Sequence, residues 1–203
     1  PGTRKTFIYN TFKKLMKAIS KSLKKNDPNH LNLGIRYGYI EQLDDELLRI
    51  SKESFDALSF NCYALSPDHE KMNHALEISG LPMIIGEYHF GTVDRGLAQS
   101  LWQVNSQKER GDAFRYYTEN AFAHRGLIGT GWFRWIDQNI NGRTDGENYN
   151  CGFIDVTDRP YPYMVDAAIE TAKSLYEIHS GTKTPFHQAP NAVGHSPIPD
   201  LWE

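Results

Sequence analysis

The strongest constraint in this chain is an alternation. Short apolar stretches of strand length recur between longer stretches whose apolar residues repeat at helical spacing, with no sign of hairpins between the short ones. Strands joined only by helical crossovers pair in parallel, which makes the class α/β. The clearest strand is Pro82-Met83-Ile84-Ile85-Gly86-Glu87-Tyr88-His89-Phe90-Gly91. Met83, Ile84 and Ile85 are too few for an amphipathic helix and are bounded by Pro82 and Gly86. They read as a strand buried on both faces that ends in Glu87. Ligands of parallel sheets bind beyond the carboxyl ends of the strands, so Glu87 stands where chemistry is expected.

Taken in order, residues 6–25 place Phe12, Leu15, Met16, Ile19 and Leu23 at helical spacing. Lys13, Lys14, Lys17, Lys21, Lys24 and Lys25 fill the other positions as a basic, solvated outer face. Asn26-Asp27-Pro28-Asn29 stops that helix, and residues 31–37 supply a strand delivering Arg36 and Tyr37. A helix over 44–52 follows, favoured at its start by Asp44, Asp45 and Glu46, and then a strand over 55–63 that ends with Asn61 and Tyr63. Ser66 is placed to cap, and Pro67 to start, a helix carrying Met72, Ala75, Leu76 and Ile78 that stops at Gly80. After Gly91 a long connection, residues 92–107, leads to a helix from about Glu109 to His124, and residues 127–138 give a fourth strand rich in aromatics. A second long loop, 139–162, precedes a last helix over 163–179 that closes at Gly181. Long loops at a functional rim are usually there for binding. The tail from 182 to 203 holds four prolines without a period and reads as irregular.

The 203 residues, 39% hydrophobic, suit one globular unit and not a disordered chain. A net charge of -3 argues against a polyanion-binding surface, so no nucleic acid is expected as a partner, and no run of membrane-spanning length argues for a membrane. Cys62 and Cys151 make neither a disulfide framework nor a zinc spacing, which leaves the redox compartment open. The chain starts at Pro1 without a Met or a signal-like segment, so processing or an artificial boundary is expected to have removed what came before. Two architectures accept the order: an open doubly wound sheet or part of an eight-stranded barrel. The first would show a glycine-rich phosphate turn, and no Gly-x-Gly-x-x-Gly occurs. A full barrel needs about twice as many strands.

Three runs carry a resemblance: IIGEYHFGTVDRG over 84–96, ERGDAFRYYTENAF over 109–122, and GTGWFRWIDQNINGRTDGENYNCGFIDVTDRPYP over 129–162. They resemble the carboxyl-terminal half of beta-agarases of glycoside hydrolase family 50, in the clan of retaining (β/α)8 TIM-barrel glycosidases. The resemblance covers residues from about 13 to 181. It implies that residues 1–181 hold strands five to eight of the barrel, followed by the tail 182–203. It further implies that Glu87 is the nucleophile, and that Tyr63, at the position of the clan's strand-six aromatic, hydrogen-bonds it. The clan's acid/base Glu stands in an Asn-Glu pair, and this chain has none. Retaining hydrolysis needs both carboxyl groups, one to attack and one to protonate the leaving oxygen, so this segment alone is expected to be nearly inert.

Trp132 and Trp135 lie three apart, so on a regular strand they face opposite sides and one should be a sugar platform, with Trp135 nearer the rim. Asn61, His89, Arg36, Asp145, Glu147 and Asn148 are the further candidates for sugar hydroxyls; His89 has the alternative of bracing Glu87, and Arg36 and Arg95 the blander one of pairing with carboxylates. Residues 137–142 also fit the first half of a calcium loop, but the twelfth position is Asn148 where a bidentate Glu is required, so no metal or other cofactor is expected. The partners expected are an oligo- or polysaccharide, and either the missing amino-terminal half-barrel or a copy of this chain. The localisation expected is secreted or periplasmic in a bacterium. The competing functions are another retaining glycosidase, such as a beta-galactosidase or mannanase, and an inert carbohydrate-binding half-domain.

Overall fold

The structure is a computed structural model that describes residues 2–194. Its elements in chain order are α1 (Gly2–Asn26), β1 (Arg36–Tyr37), a 3-10 turn (Ile40–Gln42), α2 (Asp45–Ser54), β2 (Leu58–Asn61), α3 (His69–Ser79), β3 (Met83–Tyr88), β4 (Trp102–Gln103), α4 (Gln107–Phe122), β5 (Leu127–Trp132), α5 (Pro162–His179) and β6 (Val193–Gly194). They fall into two units. The first comprises residues 1–62, 68–86 and 126–129; the second comprises 63–67, 87–125 and 130–203. Of the irregular tail expected over 182–203, residues 195–203 lie outside the described residues.

In the first unit a four-stranded sheet runs in the order β1-β2-β3-β5, with β1 parallel to β2 and Arg36 opposite Ser59. The expected alternation therefore holds, with strands in chain order. Leu58, Phe60, Met83 and Ile85 are fully buried on one face, while Ser59 and Ile84, on the other, are half-exposed. The prediction that β3 is buried on both faces is thus corrected to one sealed face. The strand expected over 31–37 is only two residues long. Gly34 takes φ +71°, and the Asn32 side chain accepts from Gly34 N–H at 3.0 Å while donating to the Ser54 carbonyl. An Asn bonding its own backbone in this way competes with the strand ladder.

Two helix expectations in this unit are also corrected. The start of α3 is capped by Asp68 and not Ser66: its carboxylate accepts from the N–H groups of Glu70 and Lys71, and Gly80 closes the helix at φ +66°. In α1 the expected faces are partly exchanged. The helix seats Met16 and Ser20 inward and reaches α2 with polar groups: Tyr9 and Lys5 meet Asp44, and Lys13 and Lys17 meet Glu53 at 2.8 and 2.7 Å. Ile8, Leu15, Ile19 and Leu23 are left exposed.

The second unit is built on α4 against α5. Ser106 caps α4 by accepting from Glu109 N–H at 3.2 Å, and Glu109 reaches back to Asn105 N–H, which starts the helix earlier than expected. The two helices approach through small residues. A Cβ on Gly111 would stand 2.5 Å from the Tyr163 carbonyl oxygen, and α5 buries Met164 and Ile178 of its apolar series together with the small Ala167, Thr171 and Ser174, and leaves Ile169 and Ala172 of that series exposed. Glu119, almost wholly buried, ties the packing together by accepting from Arg115, Thr171 and the backbone N–H of Phe186. The tail then returns as β6, antiparallel to β4, where a wholly irregular segment was expected.

Replacing Gly111 by Ala should force the helices apart at a backbone oxygen and lower stability by about 1–3 kcal/mol. Urea melts of the variant and the parent chain check this.

Candidate active site

The second unit takes over from β3 at Glu87. Strand alternation decides where that side chain goes. Tyr88 is buried, its ring stacked on Tyr117 at 4.1 Å and its hydroxyl 2.5 Å from Thr118, so its neighbour Glu87 leaves on the opposite face. There the Tyr63 hydroxyl donates to Glu87 Oε2 at 2.8 Å. Burial first, and then the charge of Glu87 and its hydrogen bond, raise the pKa of that phenol far above the ordinary tyrosine value. A phenol held neutral meets the carboxylate only as a donor.

Of the two roles expected of His89, reaching sugar hydroxyls is corrected by the structure. Only 1% of its surface is exposed, and both ring nitrogens are committed to backbone. Nδ1 lies 3.1 Å from the Phe133 carbonyl and Nε2 accepts from Leu101 N–H at 3.1 Å, which defines a neutral Nδ1–H tautomer. Burial lowers its pKa to about 3. Its ring meets Tyr63 edge-on at 4.9 Å.

The two tryptophans part company. β5 ends at Trp132, so the alternation argument does not extend to Trp135. The Trp132 indole N–H donates to the Cys151 carbonyl at 2.7 Å, and its ring packs among Tyr88, Phe114 and Phe153. Trp135 is 68% exposed and stacks on Phe153 at 6.0 Å and 22°. Trp135 is therefore the free apolar plane and Trp132 is a wall. Phe153, which backs the plane, escaped the sequence reading because nothing local marks it.

Between β5 and α5 the chain forms a charged turn that carries Asp145, Glu147 and Asn148. Arg143, which the sequence reading passed over, binds Asp145 and reaches Glu147 at 3.3 Å. Glu147 also accepts from Gln138 at 2.7 Å, and the Asn148 amide turns back to the Ile140 carbonyl. The charges of Glu87 and Glu147 both contribute to holding the Arg143 guanidinium protonated, after its main partner Asp145. Asp137, first residue of the considered calcium loop, is buried and used elsewhere, accepting from Asn150, Gly152 N–H and Tyr161. Arg110 sits among the same partners, wholly buried, donating to Phe90 O at 3.1 Å, to Gln107 and Asn150, and to Gly152 O, with the Tyr161 ring 4.9 Å away. Arg95 lies 3.9 Å from Asp94 and over the Tyr161 ring, the blander of its two expected roles. Arg36 and Asn61 belong to the first unit. Arg36 Cδ would lie 2.3 Å from a Cβ on Gly86, so its stem crosses that glycine, and Asn61 closes β2.

No family model matches the chain. Beta-agarase A of Vibrio sp. (strain JT0107) is 36% identical over 165 residues, which are 78% of this chain and 16% of that protein. Beta-agarase B of the same strain is 34% identical over 170 residues, 80% of this chain and 17% of that one. Among solved structures, an exo-beta-agarase matches with a TM-score of 0.80 at 32% identity, over 88% of this chain and 24% of its own. PfGH50B matches with a TM-score of 0.78 at 36% identity, over 82% and 24%. The chain thus spans 16–17% of the length of its curated relatives. The chain shares an α/β fold with parallel strands with these structures. Over about 80% of its length it is similar to a segment of the beta-agarases, structures of glycoside hydrolase family 50 among them.

Two outcomes follow from the buried charges. Arg110→Met leaves the Asp137 carboxylate buried without its compensating cation, and should cost about 3–5 kcal/mol in urea denaturation. His89 stays neutral down to about pH 3 in the folded chain, whereas its ordinary pKa is 6.5. Between those values the unfolded chain binds the extra proton, so the contribution is complete above pH 6.5 and is lost as pH falls towards 3. Urea midpoints should drop across that window, and less steeply in His89→Gln.

Proposed function

We propose that this segment is the carboxyl-terminal half, strands five to eight, of a (β/α)8 barrel occupying residues 1–181. In this reading the natural protein is a retaining glycosidase acting on a beta-linked galactan of the agarose type, with Glu87 as nucleophile. The observation that carries the reading is the 2.8 Å bond from a neutral Tyr63 hydroxyl to Glu87 Oε2 at the end of β3. A hydroxyl so placed orients the carboxylate for attack on an anomeric carbon. Trp135 on its Phe153 backing supplies an apolar plane for the face of a sugar ring, and Glu147 and Asn148 supply polar groups for its hydroxyls. The names of the relatives, beta-agarases A and B and an exo-beta-agarase, support the agarose assignment over a beta-galactosidase or mannanase.

The second carboxyl group comes from outside this sequence, because no Asn-Glu pair occurs in it. Exposed Ile8, Leu15, Ile19 and Leu23 on α1, and Leu31, Leu33 and Ile35 before the edge strand β1, support an amino-terminal half-barrel or a second copy as the partner that covers them. A secreted or periplasmic location goes with a polymeric substrate too large to enter a cell. Lacking that second carboxyl group, the 203-residue chain by itself is nearly inert.

The test uses the full-length natural chain. Glu87→Gln should abolish agarose hydrolysis while leaving oligosaccharide binding nearly intact, and an activated 2-fluoro glycoside should add its sugar mass to the Glu87 peptide of the parent. Undiminished turnover in Glu87→Gln, or products of inverted configuration, would sink the assignment. The isolated chain should hydrolyse agarose more slowly by at least the factor of about 10²–10⁴ that general acid catalysis supplies. In light scattering it should appear larger than a monomer.

A further inference from the structure

We propose that His89 is a positioning residue: a single imidazole that ties the loops following β3 and β5 together and fixes the Tyr63 ring, and through it the carboxylate of Glu87. The inference rests on the reading of Glu87 as nucleophile and deepens it.

Three observations meet at this ring. Leu101, in the connection after β3, donates its N–H to Nε2 at 3.1 Å, and Phe133, one residue beyond β5, is held through its carbonyl by Nδ1 at 3.1 Å. The ring edge then packs on Tyr63 at 4.9 Å and 65°, while Tyr149 meets it edge-on at 5.7 Å and Phe133 lies tilted at 5.8 Å. Each neighbour leads to a group of the proposed site. Tyr63 bonds Glu87, Phe133 precedes Trp135 by two residues, and Tyr149 ends the turn that carries Glu147 and Asn148. Two hydrogen bonds to opposite nitrogens fix the imidazole in its own plane, and a fixed plane gives Tyr63 a fixed wall.

Chemistry limits what else the residue can do. With both nitrogens occupied by backbone, the imidazole has no lone pair or proton left for a substrate, and burial favours its neutral form. A histidine is needed because the contact demands one donor and one acceptor at opposite corners of a flat ring. Gln offers a donor and an acceptor without the ring, and Phe offers the ring without either. The two variants therefore separate the hydrogen bonds from the wall.

In the full-length natural chain, His89→Gln and His89→Phe should each lower kcat about tenfold to hundredfold, the scale of a misplacement near one ångström, while KM changes far less. In a Tyr63→Phe background the same substitutions should cost nothing further in kcat, since the group through which they act is already gone. Equal losses in both backgrounds overturn the proposal, because they would mark a purely structural residue. If Glu87→Gln leaves turnover intact, the nucleophile assignment and this inference fall together. If Glu87→Gln abolishes turnover and the His89 losses remain additive, only this inference falls. A measurement on the unsubstituted full-length natural chain guards against variants that do not fold. Nitrogen-15 NMR at neutral pH should show one imidazole protonated on Nδ1, its proton slow to exchange, with cross-peaks to the Tyr63 ring; an Nε2–H tautomer or a freely exchanging proton at His89 overturns the proposal.

Discussion

The loops of the second unit depend on a cation that never sees water. Removing a guanidinium from solvent costs several kcal/mol, and the structure offsets this for Arg110 with carbonyl oxygens from both sides of the site, Phe90 after β3 and Gly152 after β5. Asp137 supplies the opposite charge through shared intermediaries, Asn150, Tyr161 and the Gly152 peptide. The two glycines at the centre of this arrangement have no room for a side chain: a Cβ at Gly152 would lie 2.3 Å from the Asp137 nitrogen, and one at Gly91 would lie 2.7 Å from the Asn150 carbonyl oxygen. Loops that carry Leu101, Phe133 and Trp135 are thereby pinned to helix α4, whose own position is set by its close contact with α5.

Much of the fold was legible because its signals are local. Strand length, helical spacing and stop residues such as Gly80 and Gly181 act within a few positions, and among the described residues they place the four main strands and the five α-helices. The start of α4 was legible too, in the Ser106 to Glu109 capping pair, although the reading began the helix at about Glu109. What failed were inferences from periodicity about which face is buried. In α1 most of the apolar stripe is exposed, Met16 excepted, and lysines meet the acids of α2, while α5 adds the small Ala167, Thr171 and Ser174 to Met164 and Ile178 on its inward face, since close helix contact rewards low volume.

The candidate site was legible to the extent that it follows strand ends. Glu87 and Tyr63 meet because alternation and strand order put them together, and both are single-residue features of predicted strands. His89, Trp132 and Asp137 look identical in sequence whether they face ligand or protein, and only their partners separate the cases. Arg143 and Phe153 were missed for the opposite reason. Each acquires its role from a residue some distance along the loop, Glu147 for one and Trp135 for the other, and no short-range pattern announces such pairs.

The last described residues of the tail have a practical bearing on how such a segment is cut. A boundary drawn at Gly181, where the helical pattern stops, would remove Phe186, whose backbone N–H satisfies the buried Glu119 and whose ring lies 4.6 Å from the Arg115 guanidinium. It would also strip β6 from β4, where Val193 pairs with Gln103, and uncover the Trp102 indole against which Gly194 rests. A shortened chain would therefore leave the Glu119 Oε2 without its backbone donor and bare a strand edge, so an expression design for this domain keeps residues through at least Gly194.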